Sequence, residues 1–153
     1  MSLSSNCKKE YMIKKINILV LAMFSLVIMT SMGDEVKKGI VFKTITLEKA
    51  KKISKLTGKP IFIDCYTYWC GPCKKMARTS FMNDKVANLY NSEFINLKVN
   101  MEKNKDGREI ARMYKIRAYP ILLVINAEGE LQKKVVGMQN SGGLIQLAKE
   151  VLK

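Results

Sequence analysis

The stretch Pro60-Ile61-Phe62-Ile63-Asp64-Cys65-Tyr66-Thr67-Tyr68-Trp69-Cys70-Gly71-Pro72-Cys73 decides how the rest of the chain is read. Its first seven residues form a nearly continuous apolar run, the mark of a strand covered on both faces. A turn over Thr67–Trp69 then leads into a helix from about Cys70, with Pro72 in the first turn, where no N–H is needed. Cys70 therefore lies where a strand ends and a helix begins. Its sulfur would face unpaired helical N–H groups and the positive end of the helix dipole, and both favour the thiolate. Cys73 sits one helical turn deeper, within bonding reach. Three readings compete for this pair. A four-thiolate zinc site needs a second cysteine pair, and only Cys7 and Cys65 remain in a chain with no His. A structural disulfide would close so small a loop that it restrains the unfolded chain little. A redox dithiol is the third.

Working outward, the elements alternate. Ile40–Thr44 is short and β-branched and predicts a first strand. Thr46 offers a helix N-cap, Leu47, Ala50, Ile53 and Leu56–Thr57 recur at helical spacing, and Gly58 stops the helix. After the Cys70 helix, Asn83-Asp84 restarts helical spacing through Val86, Ala87 and Tyr90. Phe94–Met101 predicts another buried strand. Asp106, with Glu109 three residues on, predicts a capping box for a helix carrying Ile110, Ala111 and Tyr114. Ile121–Ile125 and Leu131–Val136 predict a hairpin around Asn126-Ala127-Glu128-Gly129. A last helix from about Ser141 aligns Leu144, Leu147, Ala148 and Val151. The order β-α-β-α-β-α-β-β-α predicts an α/β domain, with one mixed central sheet flanked by helices on both faces.

The chain has 153 residues with 27 Lys+Arg, 13 Asp+Glu and 48% hydrophobic residues, which bounds it to one globular domain. The absence of His removes Ser-His-Asp and Cys-His catalysis and any imidazole switch. Lys14-Lys15 precedes the apolar run Ile16–Met29, and small residues Ser31 and Gly33 stand ahead of Asp34. That is the layout of a secretory signal peptide. The alternative is a retained anchor, at the short edge of the roughly 20 residues that span a bilayer. Residues 1–33 are thus expected to be an N-terminal extension plus signal peptide or short anchor, and 34–153 the folded domain. Met12 is a natural start for such a peptide, which leaves Cys7 without a role in the mature domain. Removing 1–33 takes four basic residues and one acidic residue, leaving a net charge of +11. The charges are spread along the chain and read as a solubilising surface. Nucleic acid is not an expected partner.

Trp69-Cys70-Gly71-Pro72-Cys73 at a strand-to-helix junction, in this element order, resembles the active site of the thioredoxin superfamily over residues 40–152. A Cys-x-x-Cys beside a strand-helix-strand unit is a standard illustration of that family. The resemblance implies a thioredoxin-like fold and a thiol–disulfide oxidoreductase whose redox group is a Cys70–Cys73 disulfide, with no other cofactor and no metal. It implies that Asp64 is the buried acid that trades a proton with Cys73, and that Lys98 lies near that acid. It also implies that Tyr119-Pro120 is a cis peptide packed against the dithiol, with the Tyr119 backbone open to an extended substrate. Trp69, Gly71 and Pro72 would complete the substrate surface, and Tyr66 and Tyr68 either join an aromatic rim or, for Tyr66, pack inside. Cys65 reads as a small buried hydrophobe.

The chain departs from ordinary thioredoxin in lacking a kinking proline after Cys73. Thr79–Val86 is instead similar to the exported branch, in particular the C-terminal periplasmic domain of the transmembrane thiol:disulfide interchange reductase. The expected function is reduction of, or electron relay to, disulfides of exported proteins, supplied by a thiol donor. The protein is expected to be a monomer in the bacterial periplasm, at the membrane only if the N-terminal segment is retained. Isomerase, oxidase or a non-catalytic binding module are the alternatives.

Overall fold

In the computed structural model, which describes residues 38–153, the chain runs α1 (Leu47–Thr57), β1 (Ile61–Tyr66), α2 (Gly71–Arg78), a 3-10 turn (Ser80–Met82), α3 (Asp84–Glu93), β2 (Ile95–Asn100), α4 (Gly107–Met113), β3 (Ile121–Ile125), β4 (Leu131–Val136) and α5 (Ser141–Val151). The expected signal peptide or anchor lies outside the described residues. No helix among the described residues is long and apolar enough to cross a membrane.

The four strands form one mixed sheet in the order β2-β1-β3-β4. β1 and β2 are parallel, from Ile61↔Ile95 to Tyr66↔Asn100. β3 runs antiparallel to β1, and β4 antiparallel to β3. Because side chains alternate along a strand, β1 feeds two cores. Ile61, Ile63 and Cys65 join Leu97, Val99 and Leu123 beneath Leu47 and Ala50 of α1 and Ile110 of α4. Phe62 joins Leu122 and Val124 on the other face, beneath Met76 of α2, Tyr90 of α3 and Leu144 and Leu147 of α5. Helices cover both faces, as the apolar runs predict. Each fully buried Ile, Leu or Phe contributes about 1.5–3 kcal/mol.

Several local expectations hold. The Thr46 side chain accepts from Lys49 N–H, and Gly58 ends α1 at φ 71°, a left-handed conformation that suits glycine. Two caps not expected from the sequence also form, Asn83 on α3 and Asn140 on α5.

Three expectations are corrected. Ile40–Thr44 is not a strand: it touches the sheet by a single parallel bridge, Lys43↔Leu97. Its other hydrogen-bonding groups are taken elsewhere, Ile40 N–H by Phe81 O and Val41 N–H by the Asn91 side chain, so no ladder extends along β2. Leu56 is 87% exposed, and Ser54 occupies the buried position of that turn. Asp106 makes no capping box on α4. Its backbone is already helical and its carboxylate instead accepts from Leu47 N–H at 2.7 Å, capping α1 across the fold. The next residue has to be glycine, because a Cβ on Gly107 would fall 2.5 Å from Asn100 O and 2.9 Å from Met101 Cα.

Candidate active site

The end of β1 and the start of α2 build the dithiol. Cys70 is the N-cap of α2 with an extended backbone, and its sulfur accepts a hydrogen bond from Cys73 N–H at 3.2 Å. One of the orphan donors of the helix start thus points at sulfur. Cys70 and Cys73 are joined by a disulfide with Cα atoms 5.3 Å apart, and both residues are buried. Gly71 and Pro72 between them are exposed and form the first turn of the helix.

Asp64 follows Phe62 on the α2 face of β1 and has no exposed surface. Its cross-strand partner in the parallel register is Lys98, whose Nζ lies 3.2 Å from Oδ2. Among the described residues Oδ1 has no hydrogen-bond donor. Burial pushes the Asp64 pKa up from 3.8 to about 6, against the opposing pull of the Lys98 charge. The Lys98 ammonium is itself held over three rings, 5.0 Å from Tyr66, 5.5 Å from Phe42 and 5.6 Å from Phe81. A small cleft of about 110 Å³ has Cys73, Thr67 and Lys98 in its walls. The inner cysteine and the acid–lysine pair are therefore brought to the same side of the sheet.

The Tyr119–Pro120 peptide is cis. Pro120 is buried, and its carbonyl accepts from Gly137 N–H at 2.8 Å, fixing the loop to the end of β4. The Tyr119 ring meets the 67%-exposed Trp69 edge to face, with centroids 5.7 Å apart. The loop before β3 is in this way tied to the residue preceding Cys70. Trp69 Nε1–H also donates to Glu102 at 3.0 Å. The expected aromatic rim divides into two pairs, Trp69 with Tyr119 and Tyr66 with Tyr68 (5.9 Å), and half-buried Tyr66 leans towards Lys98.

Cys65 is buried in the opposite core, and burial there raises its thiol pKa well above the ordinary value. It is turned away from the dithiol and supplies no further ligand for a zinc site there. Sequence reasoning missed three contributors: Glu102, which braces Trp69, and Phe42 and Phe81, which flank the lysine. An isolated Glu after a strand carries no signal of its own. The two Phe residues read as ordinary core until Lys98 is placed between them.

A protein-family model for thioredoxin matches residues 41–150. Thioredoxin-1 of Drosophila melanogaster is 32% identical over 81 residues, 53% of this chain and 70% of the relative. Thiol:disulfide interchange protein DsbD of Ralstonia nicotianae is 26% identical over 110 residues, 68% of this chain but 18% of that longer protein. The solution structure of a candidate disulphide-isomerase from Bacteroides thetaiotaomicron superposes with a TM-score of 0.67 at 37% identity, covering 76% of this chain and 95% of the other.

Proposed function

The chain belongs to the thioredoxin family and is a thiol–disulfide oxidoreductase, and we propose that it works as a reductase or electron relay for disulfides of exported proteins. The observation that carries the chemistry is the Cys70–Cys73 disulfide at the start of α2, with a buried carboxyl and its lysine on the same side of the sheet. In the reduced protein the Cys70 thiolate attacks one sulfur of a substrate disulfide, forming a mixed disulfide and expelling the other sulfur as a thiolate. Cys73 then attacks Cys70 Sγ, the second substrate sulfur leaves, and two electrons have passed from the dithiol to the substrate. Asp64 takes the Cys73 proton as that attack proceeds. A carboxyl with a pKa of about 6 is suited to that exchange near neutrality. Lys98 keeps the acid from rising further. Trp69, Gly71, Pro72 and Tyr119 form the surface that receives the substrate strand, with the buried Pro120 fixing the Tyr119 loop. A thiol donor regenerates the dithiol, and the reaction calls on no cofactor beyond the two sulfurs. Gly71-Pro72 between the cysteines supports a potential nearer to about −270 mV than to about −120 mV, and hence the reducing direction.

Export rests on the basic–apolar–small pattern of residues 14–33, and a monomer working in the periplasm is the simplest arrangement. The similarity to a candidate disulphide-isomerase favours isomerisation as the second reading. The test is a measured reduction potential together with insulin reduction and refolding of scrambled ribonuclease. A low potential with insulin reduction and little unscrambling supports the reductase. A potential near the oxidising limit overturns it.

A further inference from the structure

Because Ile40–Thr44 leaves the edge of β2 after one bridge, a groove opens between residues 42–46, the β2 positions 97–99 and the turn 104–106. Its volume is about 620 Å³, far larger than the cleft beside Cys73. Among the described residues four lysines line it, Lys43, Lys49, Lys98 and Lys105, against one carboxylate, Asp106. That carboxylate is already engaged, accepting from Leu47 N–H. Lys43, Lys49 and Lys105 are exposed, and none of the three takes part in an ion pair among the described residues. A trough with this excess of cations raises the local concentration of anionic groups. Its fourth lysine, Lys98, also lines the Cys73 cleft and pairs with Asp64, so one ammonium belongs to both depressions.

We propose that this groove docks an acidic segment of a protein partner, with Lys43, Lys49 and Lys105 as its pairing cations and Lys98 as its link to the redox site. The inference rests on the oxidoreductase reading only in that protein partners exist for such an enzyme; the docking itself needs no thiol chemistry. A peptide fits the groove better than a compact anion, because its cations come from four separate segments of the open trough, Lys43 ahead of α1, Lys49 on α1, Lys98 on β2 and Lys105 ahead of α4. The three rings around Lys98 hold its ammonium in place, so a docked carboxylate meets a fixed charge.

The probe is a fluorescein-labelled octaglutamate peptide added to the full chain, read by anisotropy and by carbon NMR of the side-chain carboxyls. The peptide is expected to bind at low salt, to weaken as salt rises, and to move the Asp64 carboxyl signal. Reversing the groove with Lys43→Glu, Lys49→Glu and Lys105→Glu together should weaken binding about tenfold or more. The matched reversal Lys52→Glu, Lys55→Glu and Lys149→Glu, outside the groove, should weaken it much less. Equal loss in both variants would mean attraction by net charge alone and would overturn the proposal. So would binding to phosphatidylserine vesicles with none to the peptide. Since anisotropy needs no turnover, a failed docking result and a failed reductase assay are separable.

Discussion

Asp64 and Cys65 are neighbours on one strand, both without exposed surface, and they face opposite cores. On the Cys65 side the surroundings are aliphatic and aromatic, and the thiol is held neutral, with its pKa well above the ordinary value. On the Asp64 side a lysine lies 3.2 Å away, three rings hold that lysine, and a cleft containing it reaches the inner cysteine. Equal burial thus yields an inert group on one face and a titrating group on the other. What separates them is an ion pair in direct contact and the opening, since at Cys65 the pull of the Lys134 charge does not offset burial.

The strongest way to break this contrast is to compare thiols. Cys70→Ser should abolish insulin reduction, lowering the rate by at least about a thousandfold. Cys65→Ser should leave the rate per folded molecule unchanged while costing about 1–3 kcal/mol in urea unfolding, because a hydroxyl replaces sulfur in an apolar core. Loss of turnover in Cys65→Ser, measured well below its unfolding midpoint, would make the closed face chemically active and end the contrast.

Next in size is the acid. Below about pH 3 the Asp64 carboxyl is neutral both folded and unfolded. As pH rises, the unfolded chain ionises first, around 3.8, and the folded one only at about 6. Across that window the group's contribution to stability declines, by about 3 kcal/mol in all, and above it both states are ionised. Asp64→Asn should flatten that slope and raise stability at pH 7 by about 1–3 kcal/mol, since Lys98, partly exposed, can turn to water. The same variant should slow release of the mixed disulfide about 10- to 100-fold. A less stable Asp64→Asn protein at pH 7 would mean that the lysine's attraction outweighs burial.

Lys98 sharpens the point from the other side. Lys98→Met removes the group that lowers the Asp64 pKa and leaves its burial intact. The pH at which the stability slope levels off should move up, as seen in denaturant midpoints across a pH series. No movement would mean that the ion pair does not tune the acid.

These contrasts also mark where the amino-acid sequence is readable. Residues 60–73 disclose a strand buried on both faces, the helix start at Cys70 and the dithiol, because each follows from local periodicity and capping. The family resemblance adds Asp64, Lys98 and the cis bond before Pro120, which lies far from the dithiol in sequence and has no local signature. Illegible were features set by several segments at once. Ile40–Thr44 has strand composition, yet Asn91 and Phe81 take its hydrogen bonds. Glu102 becomes meaningful only when the end of β2 is placed beside Trp69.

Asp106 is the smallest and most exacting case. Local sequence, an Asp followed three residues on by Glu109, predicts a cap for α4. The fold instead spends that carboxylate on α1, 59 residues away in sequence, at 2.7 Å from Leu47 N–H. An anionic oxygen on a helix N-terminus is stabilising both as a hydrogen bond and through the helix dipole. Asp106→Ala should therefore cost about 1 kcal/mol in denaturant unfolding. Hydrogen exchange tells the two assignments apart. If Asp106 caps α1, the variant speeds exchange in the first turn of α1, at Leu47 and Glu48. If the local capping box matters, the loss falls on Arg108 and Glu109. The first pattern marks the closed face as one whose polar groups serve the fold, in contrast to the face where Asp64 is buried beside Lys98.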